Sequence, residues 1–209
     1  MGITISQPTD GSECQDSPLA VAAVAEITQL FAVTLVQLQA LHAIWFAAGS
    51  KDDGDLASRE ADLSCEEFEE ALNSVGFAAA DRAIFDRLFT LLDRTGDDRI
   101  FAIQFLIGTS ALLRGSLDVK LQAALQFASD ADKSSGLEEG LSPEGLNFAL
   151  TTLASIAGFF GDPPVAAHDV RRVVDDVCGT DGCYSCQELV KDLEDHPFVQ
   201  QYVYHNTES

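Results

Sequence analysis

One unit recurs along this chain and limits what it can fold into. Four times an apolar residue is followed, four positions on, by a residue in the first turn of a helix-like pattern. The pairs are Leu63 and Glu67, Ile100 and Gln104, Leu141 and Gly145, and Tyr184 and Glu188. The second members, at 67, 104, 145 and 188, are 37, 41 and 43 residues apart. Self-similarity at such a period means that one supersecondary unit is reused, and that copies bury their apolar faces against one another.

The second copy is the fullest. Phe85, Leu88, Phe89 and Leu92 fall at i, i+3, i+4 and i+7, the stripe of an amphipathic helix. A further helix is expected over 103–113. Between them runs Asp93-Arg94-Thr95-Gly96-Asp97-Asp98-Arg99-Ile100-Phe101-Ala102-Ile103-Gln104. This stretch resembles an EF-hand, in which a twelve-residue turn between two helices offers Ca²⁺ its oxygens from positions 1, 3, 5, 7, 9 and 12. The resemblance makes Asp93, Thr95, Asp97, the backbone carbonyl of Arg99, and Gln104 the candidate metal ligands, with Phe101 at position 9. Position 6, where the chain turns sharply, holds Asp98, which tolerates a left-handed backbone better than most residues. Position 12 should be a bidentate Glu, and Gln104 supplies one neutral oxygen. Two carboxylates in the whole set place the expected affinity at roughly 10⁻⁴ M or weaker.

The other copies keep fewer ligands. Asp130, Asp132 and Ser134 open a third loop, Leu137 to Gly140 reads as an insertion, and Gly145 stands where the bidentate Glu belongs, with Glu144 beside it. In the fourth, Asp181, Gly182, Tyr184, Ser185 and Glu188 suit positions 5, 6, 8, 9 and 12, but Val177 and Gly179 fall at 1 and 3. Asp181 and Glu188 therefore form only a lesser candidate site. In the first, Glu67 closes a turn whose acidic start, Lys51 to Asp55, is out of register. Units of this kind pair through position 8, so Leu63 is expected opposite Ile100, and Leu141 opposite Tyr184.

The segment Ile107-Gly108-Thr109-Ser110-Ala111-Leu112-Leu113-Arg114-Gly115-Ser116-Leu117-Asp118-Val119-Lys120-Leu121 resembles the inter-lobe linker of the neuronal calcium sensor, potassium-channel-interacting protein and calaxin group. That resemblance implies an all-α, two-lobed EF-hand protein with four mostly degenerate units, and a partner helix held in an apolar groove. The expected divisions are a flexible tail over 1–17, a first EF-hand pair with a leading helix over 18–113, a linker at 114–116, and a second pair with a terminal helix over 117–209. Within these, Leu19 to Val36 reads as an amphipathic helix. Ser142 and Pro143 start another as N-cap and first residue. Helix resumes near Ala167, stops at Asp195 to Pro197, and returns briefly over Phe198 to Tyr204. The sole Met is the first residue, so a groove would be lined by the 13 Phe and by Leu, Ile and Val.

Charge narrows the partners. Twelve basic residues against 34 acidic ones give a formal −22. Non-specific nucleic-acid binding needs Lys and Arg to neutralise phosphate, and unaided docking on anionic lipid needs them too. A helical, basic protein segment within a larger assembly is the expected partner. No apolar run is long enough to span a bilayer. Met1-Gly2-Ile3-Thr4-Ile5-Ser6 matches the acylation pattern M-G-x-x-x-[ST], which makes Gly2 the candidate lipidation residue. Expected locations are cytoplasmic, axonemal or, with Gly2 acylated, membrane-associated.

Five cysteines, an odd count, suit a reducing compartment. Cys178, Cys183 and Cys186 have the C-x4-C-x2-C spacing that opens a ferredoxin cluster, without the fourth Cys. His196 stands about 15 Å from Cys186 along a helix, too far to complete a zinc site. No catalytic motif surrounds His42, His168, His196 or His205, so no enzymatic activity is expected. Trp45 and Phe46 read as core anchors. Two functions remain: a non-catalytic EF-hand-like adaptor or structural subunit with calcium binding weak or lost, and a calcium sensor switched through loop 93–104.

Overall fold

The computed structural model describes residues 31–47, 63–132, 140–159, 165–178 and 184–197. Among them are eight helices and four two-residue strands. In chain order these are α1 (Leu35–Ala47), β1 (Leu63–Ser64), α2 (Cys65–Val75), α3 (Ala79–Leu92), β2 (Arg99–Ile100), α4 (Ala102–Ser110), α5 (Leu117–Ala131), β3 (Gly140–Leu141), α6 (Pro143–Phe159), α7 (Ala167–Cys178), β4 (Tyr184–Ser185) and α8 (Cys186–Asp195). Among the described residues the fold is all-α apart from these short ladders.

Local chemistry sets most helix ends. Thr34 caps α1: its hydroxyl accepts from the Gln37 amide at 3.3 Å, and Gln37 Oε1 accepts from the Thr34 amide at 3.0 Å. Ser64 and Glu67 make the same reciprocal box at α2. Gly76 ends α2 with φ +77°, its N–H donating to Leu72 O at 3.2 Å. A left-handed residue there satisfies an otherwise orphaned carbonyl, and glycine adopts it without strain. Pro143 opens α6, where a missing N–H costs nothing, and α7 begins at Ala167 as expected.

Two expectations need correction. The helix expected over Leu19 to Val36 does not include residues 31–34, which are non-helical. Phe31 and Val33 are buried there, and the Ala32 amide donates to the buried Asp81 carboxylate at 3.0 Å. The segment is held by side-chain partners instead of by helical bonds. The exit helix expected to reach Leu113 stops at Ser110, and a turn follows to Gly115. The expected terminal helix over 198–204 lies outside the described residues.

The ladders join the units in pairs. β1 and β2 are antiparallel with Leu63 opposite Ile100; β3 and β4 are antiparallel with Leu141 opposite Tyr184. Both registers are those expected from the repeat. Behind the first ladder Phe68, Phe85, Phe89 and Phe105 pack edge-on or tilted, at centroid distances of 4.9–5.3 Å. Trp45 joins them, 5.8 Å from Phe105. Buried residues from both halves form one continuous core. At the junction of the halves α4 approaches α6 so closely that a Cβ on Gly108 would lie 2.6 Å from Ile156 Cγ1.

Candidate functional site: the turns between paired helices

The turn after α3 gathers the oxygens chosen from the sequence. Asp93 caps the end of α3 and folds its carboxylate back over the loop. Its Oδ1 accepts from the amides of Gly96 and Asp97 at 2.8 and 3.3 Å, and its Oδ2 from that of Asp98 at 3.1 Å. The Thr95 hydroxyl donates to Asp97 Oδ1 at 2.6 Å and approaches Asp93 Oδ1 at 3.4 Å. Asp93, Thr95 and Asp97 thus converge. The turn that makes this happen has two left-handed residues, Gly96 at φ +71° and Asp98 at φ +57°. Asp98 in that conformation is what position 6 requires, and its carbonyl accepts from the Cys65 amide at 3.1 Å, tying the turn to α2.

The remaining members of this set lie further along. Arg99 pairs with Ser64 in the ladder and its side chain is exposed. Gln104 is half-buried, one turn into α4, whose N-cap Phe101 has no side-chain acceptor to offer. Around Asp93, desolvation works to raise the carboxyl pKa. The amides of Gly96, Asp98 and Asp97 and the Thr95 hydroxyl outweigh it and hold the pKa below the usual range.

The other three exit helices begin with serine, and each serine meets a carboxylate. At α2, Glu67 Oε2 accepts from the Ser64 amide at 2.9 Å and from its hydroxyl at 2.6 Å. These two bonds depress the Glu67 pKa, with a smaller contribution from Arg99, against the upward pull of desolvation. At α8, the Ser185 hydroxyl donates to Glu188 Oε2 at 2.8 Å and accepts from the Glu188 amide at 3.3 Å. The sequence assigned Glu67 and Glu188 to position 12; in this structure both reach back to their own helix caps.

At α6 the in-helix carboxylate is missing, because Gly145 occupies its place. The exposed Glu144 does not replace it. Asp132, at the end of α5, does: its Oδ2 accepts from the Ser142 amide at 2.8 Å and from the Ser142 hydroxyl at 2.5 Å. Asp132 and Ser142 are both buried, as is Gly145. The Ser142 hydroxyl accepts in turn from the Gly145 amide at 3.1 Å. One turn earlier in α5, the buried Ser129 hydroxyl donates to Gly140 O at 2.8 Å. A direct carboxylate bridge therefore joins the entering and exiting helices of the third unit. Sequence reasoning treated Asp132 only as an ion ligand. The usable signal was the coincidence of a lost Glu at 145, a serine cap at 142 and an Asp ending the preceding helix.

Cys65, Cys178 and Cys186 lie among the described residues. Cys178 and Cys186 are buried, and Cys186 Sγ approaches Leu125 O at 3.6 Å. His196 lies 3.4 Å from Asp176. Asp181, Cys183 and Gly2 lie outside the described residues. Among the described residues no three His, Cys, Asp or Glu side chains are grouped to hold a metal, and no helix is long and apolar enough to cross a membrane.

Comparison with known proteins leaves the family open: no protein-family model, curated protein or solved structure matches the chain.

Proposed function

We propose that the chain is a non-catalytic EF-hand-like adaptor or structural subunit whose helix pairs are held without calcium and bind a partner protein. The observation that carries this reading is the Asp132 bridge. In an ion-binding turn the metal ties the residue that ends the entering helix to a carboxylate in the first turn of the exiting helix. In the third unit a buried carboxylate links them directly through the Ser142 amide and hydroxyl. Glu67 and Glu188 are likewise engaged with serine caps. The four units, arranged as two EF-hand pairs joined near 114–116, would then serve as a fixed scaffold. A helical segment with basic residues suits the −22 charge.

A second reading is supported by the convergence of Asp93, Thr95 and Asp97 in the turn after α3. There, weak calcium binding through those residues, the Arg99 carbonyl and Gln104 would switch partner binding. Acylation of Gly2 would add a membrane contact in either case. Calorimetric titration with Ca²⁺ separates the readings. The adaptor predicts no saturable heat below the millimolar range. A micromolar site abolished by Asp93→Ala would overturn it in favour of the sensor.

A further inference from the structure

A groove of about 430 Å³ lies between α6 and α7. From α6 it is lined by Phe159 together with Thr151, Ala154, Ser155 and Gly158, which fall at i, i+3, i+4 and i+7 and so share one face. Small side chains there leave the helix surface open; above Gly158 nothing lies within 4 Å of where a Cβ would stand. Val165 and Val170 line it too. The walls are predominantly apolar and carry a single charge.

That charge is Arg94, the second residue of the turn after α3, which reaches the groove from the other half of the molecule. Its side chain is exposed. Among the described residues its guanidinium has no carboxylate partner, in a chain where acids outnumber bases 34 to 12. An unpaired guanidinium beside an apolar trough is complementary to a ligand with one negative head and an apolar body. Ala167, the first residue of α7, also lines the groove, and Asp169 in the first turn of that helix pairs with Arg172 at 3.7 Å.

The volume falls within the range of about 300–1,000 Å³ usual for small-molecule sites. We propose that the α6–α7 groove binds a small amphipathic carboxylate of the fatty-acid type, its alkyl chain along Ala154 and Gly158 and its head on Arg94. This does not depend on the adaptor reading or on any ion in the turn after α3.

The test is calorimetric titration of the full chain with dodecanoate below its micellar concentration, in buffer containing a calcium chelator. One saturable equivalent is expected, with a dodecyl trimethylammonium salt of equal tail length binding more weakly. Arg94→Gln should weaken dodecanoate about fivefold, the scale of a solvent-exposed ion pair. Gly158→Leu places a side chain in open space, so the fold should persist while binding falls at least about tenfold. Circular dichroism checks the folding of both variants. Absence of saturable binding, equal binding of the cationic amphiphile, or binding that Gly158→Leu leaves unchanged would each overturn the proposal. So would saturable binding of an acidic amphipathic peptide by a chain that ignores dodecanoate, which would assign the groove to a protein partner.

Discussion

Asp132 stands over Gly145: a Cβ built on the glycine would lie 2.5 Å from Asp132 Oδ2. The two residues are alternatives. Either the helix carries its own carboxylate at this position, as α2 does with Glu67, or the preceding helix sends one in and the position must be glycine. Asp132→Ala should destabilise the protein by about 1–3 kcal/mol, because the buried Ser142 donors lose their acceptor. Gly145→Glu alone should also destabilise, through the clash and the added like charge. In the Asp132→Ala background the same Gly145→Glu change should restore part of the loss by rebuilding a serine–glutamate box. The recovery stays partial, since the new Cβ also meets Leu141 Cδ1 at 2.9 Å. Urea unfolding of the four proteins gives the coupling, and additive losses would refute the exchange.

Gln104 is where the turn after α3 is short of charge. Gln104→Glu should strengthen Ca²⁺ binding at least about tenfold, since ligand charge is a main control on affinity in such turns. Calorimetry on this variant reads the gain directly. No gain would mean that position 104 does not face the oxygens of Asp93, Thr95 and Asp97.

Acid should weaken the fold through the first two units. Glu67 and Asp93 both have pKa values below the ordinary carboxylate range. For an acid with a depressed folded pKa, the unfolded chain takes up protons first as pH falls. The stabilisation is complete above the unfolded value of about 4 and is lost as pH falls through the folded one. Unfolding midpoints measured from neutrality to about pH 3 should decline most steeply at the acid end. Glu67→Gln should flatten that limb while lowering stability near neutrality.

His42 titrates with the opposite chemistry in a different window. It stacks on Phe46 at 4.6 Å and lies 3.7 Å from Asp130 of α5. Burial lowers its pKa, outweighing the upward pull of Asp130. The folded protein therefore prefers neutral imidazole, and stability falls as pH drops below the unfolded value of about 6.5 towards the folded one. Proton NMR titration should show His42 protonating below the unfolded value of about 6.5. A higher pKa at His42 would mean that Asp130 dominates.

Gly108 permits the contact between the halves. Gly108→Ala would set a methyl 2.6 Å from Ile156 Cγ1. Overpacking of this kind costs about 1–3 kcal/mol, more than the helix-propensity gain of about 1 kcal/mol. A net loss in thermal stability is expected, relieved in part by Ile156→Ala. A more stable Gly108→Ala protein would show that α4 and α6 yield readily.

Much of the architecture was legible because it is local or periodic. The i, i+3, i+4 spacing of Phe85, Leu88, Phe89 and Leu92 gave α3. The recurrence at 63, 100, 141 and 184 gave both ladder registers, since a fixed offset from turn to helix leaves one residue free to pair. Asp98 was recognised as a left-handed position by its place in the turn. The helix over 31–34 was misread because apolar composition cannot tell a helix from an extended segment held by Asp81.

By itself, the sequence determined the helical units and the pairing of their turns. These follow from side-chain chemistry within about a dozen neighbouring residues. Only the tertiary structure decided that Asp132 accepts from Ser142, that Gly108 admits Ile156, and that Arg94 stands beside an apolar groove built by α6 and α7. Each depends on residues 10 or more positions apart meeting in space, and a linear pattern does not record the distance between them.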